Sequence, residues 1–352
     1  MKSLGKFPDP FIAEIAGQPD ALRRAATAAI DHASVLGDAV GRARAGALVC
    51  TGMGSSYHAA HPAVTALAAA GVRASMVDAA ELLHFRRPML GADDVVVLVS
   101  QSGASAETVA LADALRSAPV RPWTLAVTNA ADGPLAGLVD EVIATRAGPE
   151  TGPSTMTFGA SVTVLAALAR ADTPGMATFA DDVERAARAV ERLLAADDLP
   201  DRLVGWHGGR ATTVIVGRGG ARATAEMAAL TIEESVGLPV AALQAAQFRH
   251  GPLELAGPDL AAMIVSTEPS TAALDRGLGE DLRRLGSAVV LVGDASDAGP
   301  DAAVWVDTGP LDPALAPAAA IVPAQLLAWR LAHAAGRAPG AYVHASKVTT
   351  RE

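Results

Sequence analysis

The chain has 352 residues, of which 51% are hydrophobic and 19% charged, and its formal net charge is −10. These proportions exclude a disordered chain and supply buried cores for about two domains. The acidic balance excludes a surface built for non-specific nucleic-acid binding, but permits an anionic metabolite held by hydroxyls, backbone N–H groups and helix N-termini.

The opening segment, MKSLGKFPDPFIAEIAGQPDALRR, lacks the apolar core of a signal peptide. The longest apolar runs are strand-sized or broken by charge, so no membrane association is expected. Cys50 is the only cysteine, so no intramolecular disulfide is possible, which fits a cytoplasmic protein. The eight histidines are scattered, and no Cys/His group has zinc-ligand spacing. The expectation is a protein without a metal or other cofactor.

Residues 1–44 form an N-terminal segment in which a helix is predicted from about Pro19 to Ala43. From 45 to 172, strand-like runs alternate with alanine-rich helical stretches: GALVCTGMGSS, then VVVLVS ending at Ser100, then TLAVTN ending at Asn129. Residues 173–199, bracketed by Pro174 and Pro200, carry DDVERAARAVERLLAADD and are predicted to be a linker helix. From 200 to 338 the pattern recurs as TTVIVGRGGAR, AAMIVS ending at Ser266, and VVLVGD ending at Asp294. Gly54 and Gly219 stand 165 places apart, Ser100 and Ser266 166, and Asn129 and Asp294 165. Three strand-to-loop stations in one order at nearly one offset indicate a duplicated domain. The predicted class is α/β: two tandem doubly wound parallel sheets, each a flavodoxin-like three-layer α/β/α domain. Residues 339–352 lack a helical period and read as an ordered tail.

Ligands of open parallel sheets bind beyond the C-terminal ends of the strands. The first copy places Gly54, Ser55 and Ser56 there, and then Ser100, Gln101, Ser102 and Ser105. Turn and cap chemistry explains Gly and Ser in either loop alone. Two such loops at one edge suit a polyhydroxylated, phosphorylated ligand. Neither is a Walker loop or a full dinucleotide fingerprint. The second copy looks plainer at its strand ends, but its first helix carries Glu226 and, near its C-terminus, Glu233 and Glu234, where the dipole disfavours carboxylates. His250 precedes Gly-Pro, which places it in a turn. Only three of the 28 Lys and Arg residues are lysine: Lys2, Lys6 and Lys347. Arginine replaces lysine as a solvated cation but not as a carbonyl-attacking amine, so Lys347 is either a surface charge or a candidate Schiff-base former.

These motifs resemble the tandem sugar-isomerase (SIS) domain proteins, particularly the isomerase half of the glutamine–fructose-6-phosphate amidotransferases. GMGSSYHAA resembles the family's first-loop motif and SQSGASAETV its phosphate loop. AGPETGPSTMTF, EESVGLPVAALQAAQFRHGPLEL and ASKVTTRE are similar to three further family segments. The resemblance implies that Gly54, Ser55, Ser56, Ser100, Gln101, Ser102 and Ser105 hold the substrate, with Glu150, Ala345 and Ser346 beside it. It makes Glu234 the proton-shuttling base, His250 the ring-opening residue supplied across a homodimer interface, and Lys347 the imine-forming amine.

Three departures from the family pattern bear on chemistry. Met1 is followed by Lys2 rather than by a nucleophilic cysteine, so no glutaminase activity is expected. Thr231 stands three places before Glu234 where the family has lysine, and Met156 replaces another lysine in a segment one residue short. Free-standing relatives of this arrangement include glucosamine-6-phosphate deaminases and phosphosugar deglycases. The expected function is conversion of an amino-sugar 6-phosphate to a ketose 6-phosphate and ammonia. The alternatives are a deglycase, a plain sugar-phosphate isomerase, or a non-catalytic sugar-phosphate sensor.

Overall fold

A computed structural model describes residues 9–297, 304–349 and 351. Lys2, Lys6, Thr350 and Glu352 fall outside these. The chain divides into two compact units. The first unit is Asp20–Glu150, Met156–Glu184 and His344–Glu352; the second is Met1–Pro19, Thr151–Thr155 and Arg185–Val343.

The first unit holds a five-stranded sheet of β1 (Leu48–Thr51), β2 (Ala74–Met76), β3 (Val95–Ser100), β4 (Trp123–Thr128) and β5 (Glu141–Ala144), in the order β2-β1-β3-β4-β5. Every pairing is parallel; Cys50 lies opposite Met76 on one side and Val97 on the other. All six residues of β3 are buried. A β-branched run with no polar alternation fits a strand covered on both faces. On one face Val49, Val96, Leu98 and Ala126 pack with Leu111 and Leu115 of the helix Ala106–Arg116. Helix Met156–Arg170 packs on β4 and is buried along its whole length, so it carries no amphipathic stripe.

The second unit repeats this plan with β6 (Thr212–Gly217), β7 (Val240–Gln244), β8 (Leu260–Ser266), β9 (Ala288–Gly293) and β10 (Val304–Asp307), in the order β10-β9-β8-β6-β7, all parallel. Val214, Val216, Ile264 and Leu291 pack with Phe248, Leu278 and Leu282. The helix Pro10–Ala16 belongs to this unit. Asp9 caps it and accepts from Trp329 Nε1, Glu14 accepts the Thr151 and Gly152 N–H groups, and buried Gln18 pairs with Gln325. Between the two sheets in sequence lies the helix Phe179–Ala195.

The repeat extends to individual backbone angles. Gly54 has φ +52° and Gly219 φ +50°. A Cβ on Gly52 would sit 2.7 Å from the Val99 carbonyl oxygen, and one on Gly217 2.6 Å from the Ala221 carbonyl oxygen. Only glycine satisfies both demands without displacing backbone.

Two sequence expectations change. The helix predicted from 19 to 43 is two helices, Gln18–Asp31 and Ala33–Ala45, broken at His32. His32 leaves helical geometry and its Nδ1 lies 2.8 Å from the Ala28 carbonyl, a local side-chain bond that competes with the helix. The three strand stations of each copy are the inner strands; β2, β5, β7 and β10 flank them. No helix among the described residues is long and apolar enough to cross a membrane.

Cys50 is fully buried in β1, and burial pushes its thiol up to about 12. At pH 8 the reactive thiolate is therefore essentially absent. A disulfide-exchange reagent should titrate no thiol in the native protein and one after denaturation. Fast labelling of the native protein would contradict this placement.

Candidate functional site

Parallel pairing brings the C-terminal ends of β1, β3 and β4 to one edge of the first sheet. Gly54 turns the chain into the short helix Ser55–His58. Pro62, near the start of the next helix, His61–Ala69, prevents the two from running on as one. Ser100 ends β3 and is buried, with its Oγ 3.3 Å from Ser105 Oγ. Ser102 Oγ accepts the Ala104 N–H at 3.1 Å, which tightens the loop at Gly103 (φ +59°). Ser105 starts the helix Ala106–Arg116 but makes no side-chain cap to it.

Ser55, Ser56 and Gln101 line one narrow crevice together with Thr157, Phe158 and Ser161. The last three escaped the sequence reading. Thr157 and Ser161 are polar residues at i and i+4 in a largely apolar helix, which is the signal that points to them.

Two contacts of the tail belong to the same unit. Lys347 Nζ lies 2.7 Å from Glu150 Oε2, with the Glu150 side chain fully buried and that of Lys347 19% exposed. Glu150 also accepts the Thr157 N–H at 3.1 Å and its hydroxyl at 2.5 Å. One carboxylate thus holds both the start of helix Met156–Arg170 and the lysine. The Thr349 carbonyl accepts the Ala106 N–H at 3.1 Å. One of the helix-start donors expected to face an anion is therefore taken by the tail. Ala345 and Ser346 are exposed, and Ser346 Oγ donates to the Val348 carbonyl at 2.7 Å.

Glu234 and His250 belong to the second unit. Glu234 is half-buried two residues before the end of helix Arg222–Val236, which Gly237 terminates at φ +74°. Its neighbour Glu233 reaches past that end to the Val240 N–H at 3.4 Å. Thr231 is buried, and its hydroxyl donates to the Met227 carbonyl at 2.8 Å. His250 is exposed in the turn before Gly251 (φ +121°), and its N–H donates to the Gln247 carbonyl. Among the expected site residues, then, the first unit gathers Ser55, Ser56, Gln101, Ser100 with Ser105, and Glu150 with Lys347.

The second sheet's edge is less plain than its sequence. Arg218 Nε donates to buried Asp275 at 2.7 Å, and Glu268 accepts the Gly220 N–H at 2.8 Å. Burial raises both carboxyl groups above their ordinary values, opposed at Asp275 by Arg218 and at Glu268 by the Gly220 N–H.

Two doubly wound parallel sheets in tandem, with hydroxyl-rich loops at the edge of the first, define an α/β protein of duplicated design. The SIS domain family model matches residues 43–171 and 210–334, and the chain belongs to this family. The glutamine–fructose-6-phosphate aminotransferase (isomerizing) of Methanothermobacter thermautotrophicus is 28% identical over 359 residues, covering 100% of this chain and 59% of that protein. The chain thus spans about three fifths of the curated relatives it matches along its whole length. In fold it is similar to the C-terminal domain of glucosamine-fructose-6-phosphate aminotransferase from Francisella tularensis, with TM-score 0.84, 21% identity, and coverage of 96% of this chain and 99% of that one. Glucosamine-6-phosphate deaminase from Thermotoga maritima gives TM-score 0.77 and 18% identity, with coverage of 97% and 99%.

Replacing Glu150 with Gln keeps an acceptor for Thr157 but removes the charge that faces Lys347. Charge-assisted hydrogen bonds of this kind contribute about 1–3 kcal/mol. Glu150→Gln should lower the urea unfolding midpoint accordingly and speed proteolysis of the tail. Unchanged midpoint and unchanged cleavage would remove Glu150 as the tail's anchor.

Proposed function

We propose that this protein is a phosphosugar isomerase that deaminates an amino-sugar 6-phosphate, giving a ketose 6-phosphate and ammonia. The observation that carries the reading is the seating of Lys347: the lysine nearest the C-terminus is held on buried Glu150 in the unit that carries the serine and glutamine loops. An amine retained in so arginine-rich a chain, and drawn in from the surface by a buried carboxylate, suits a reacting group better than a solvated charge. The relatives named above act, by their names, on phosphorylated sugars and amino sugars. The homodimer, with His250 supplied from the partner subunit, is part of the same proposal.

In this reading Ser55, Ser56, Ser100, Gln101, Ser102 and Ser105 receive the phosphate and sugar hydroxyls, with Gly54, Glu150, Ala345 and Ser346 around them. His250 assists ring opening. Glu234 removes the proton from C2 and returns it to C1, while a second proton passes from the amino nitrogen to the C1 oxygen, leaving a hydroxymethyl group at C1 and an imine at C2. The Lys347 amine adds to that carbon and ammonia departs. Water then hydrolyses the lysine imine, releasing the ketose phosphate and regenerating the amine. The net change is addition of one water and loss of one ammonia. Proton transfer and imine exchange require side chains alone.

Purified protein incubated with glucosamine-6-phosphate should release ammonia and fructose-6-phosphate in equal amounts. Lys347→Arg and Glu234→Gln should each lower kcat by about 10²–10⁴-fold, whereas Ser102→Ala should act mainly by raising KM. Turnover of a simple aldose phosphate but not of the amino sugar would make the protein a plain isomerase. A full rate in Glu234→Gln would remove that residue as the base.

A further inference from the structure

A cleft of about 210 Å³ opens at the C-terminal edge of the second sheet, with all its described lining residues in the second unit. It is smaller than a drug-sized pocket but roomier than the narrow crevice at the first sheet. Ser266 and Thr267 follow β8 on its wall, Asp294 follows β9, and Thr308 follows β10, while Pro310 and Leu311 give it an apolar side. Thr267 is only 7% exposed, and its Oγ1 is buried without a hydrogen-bond partner among the described residues. A buried hydroxyl left unpaired is costly to folding, and a hydroxyl-bearing ligand in the cleft can offset that cost.

The duplication shows what has changed at this edge. Asn129, at the matching station of the first copy, is consumed locally. Its amide donates to the Gly148 carbonyl, and its oxygen accepts from Thr145 Oγ1 and the Ala147 N–H. In the second copy Asp307 takes up such bracing by accepting the Ala295 and Gly309 N–H groups, and Asp294 lines the cleft instead.

The electrostatics select the ligand. No described lining residue is Lys, Arg or His. Of the neighbouring cations, Arg218 is committed to Asp275, and Arg192 donates to the Thr308 carbonyl behind the cleft wall. Asp294 contributes a carboxylate, and Glu268 lies near enough to Asp312 and Asp275 to feel both charges. Phosphate is disfavoured here. Vicinal hydroxyls suit a carboxylate acceptor flanked by side-chain hydroxyls, and the apolar side fits the C–H face of a ring.

We propose that this cleft is a second binding site, separate from the phosphosugar loops, for an uncharged polyhydroxylated ligand of hexose size. The test is saturation-transfer NMR on the full chain with D-glucose, D-fructose and N-acetyl-D-glucosamine. At least one should receive transfer that excess inorganic phosphate does not abolish. Asp294→Asn and Thr267→Val should each weaken it about tenfold or more, since a charge-assisted or buried hydrogen bond is lost. Ser102→Ala should leave it unchanged. Asn at 294 can still accept the Ser296 N–H that Asp294 now binds, so this variant decides the matter if Thr267→Val is unstable by thermal melting. No transfer to any of the three sugars overturns the proposal, as does transfer that persists unchanged in Asp294→Asn. Transfer lost in Ser102→Ala, or to phosphate, also overturns it by placing the sugar at the first sheet. Turnover of glucosamine-6-phosphate is read separately and stands or falls independently.

Discussion

At the end of the first strand of each sheet, a backbone carbonyl comes so close that no side chain fits between it and the chain. Gly52 meets Val99 of the neighbouring strand and Gly217 meets Ala221 of its own following turn, and two residues later Gly54 and Gly219 both take positive φ. This crowding fixes where the chain leaves the sheet. Because every strand pairing is parallel, the loops after β1, β3 and β4 emerge at one edge, as do those after β6, β8 and β9. Side chains on those loops converge without any long-range device beyond the sheet itself.

One frame therefore presents two different edges. The first is neutral and rich in hydroxyls, and the tail adds an amine anchored on Glu150. The second carries Arg218 bound to Asp275, Glu268 bound to the Gly220 N–H, and a roomier cleft beside Asp294. The contrast lies in a few residues at equivalent stations, while the cores beneath remain alike: Val96 and Leu98 in one sheet, Ala262 and Ile264 in the other.

The inner strands were legible in the sequence because burial on both faces leaves runs such as VVVLVS, which helices seldom use. The duplication was legible because its stations keep their spacing. The edge strands were not, since ASM, EVIA and VWVD are short and only partly buried, and pairing rather than composition makes them strands. The break at His32 rests on one side-chain contact that no periodicity reveals. At the site, the hydroxyl loops could be read from residue type, but not how they are used: Ser102 serves its own loop, and Ser105 faces Ser100. The pairing of Lys347 with Glu150 joins positions 197 residues apart, a distance at which local pattern carries no information. Glu150 entered the reading only through family resemblance.

The scarcity of lysine makes any adduct at Lys347 self-reporting. With Lys2 and Lys6 the only others, an endoproteinase that cuts after lysine releases two very short N-terminal fragments, a long piece running from 7 to 347 and a short one beyond it. Borohydride reduction of an imine at Lys347 would block that cut. The two pieces that flank Lys347 would then leave the digest as one, heavier by the trapped carbohydrate.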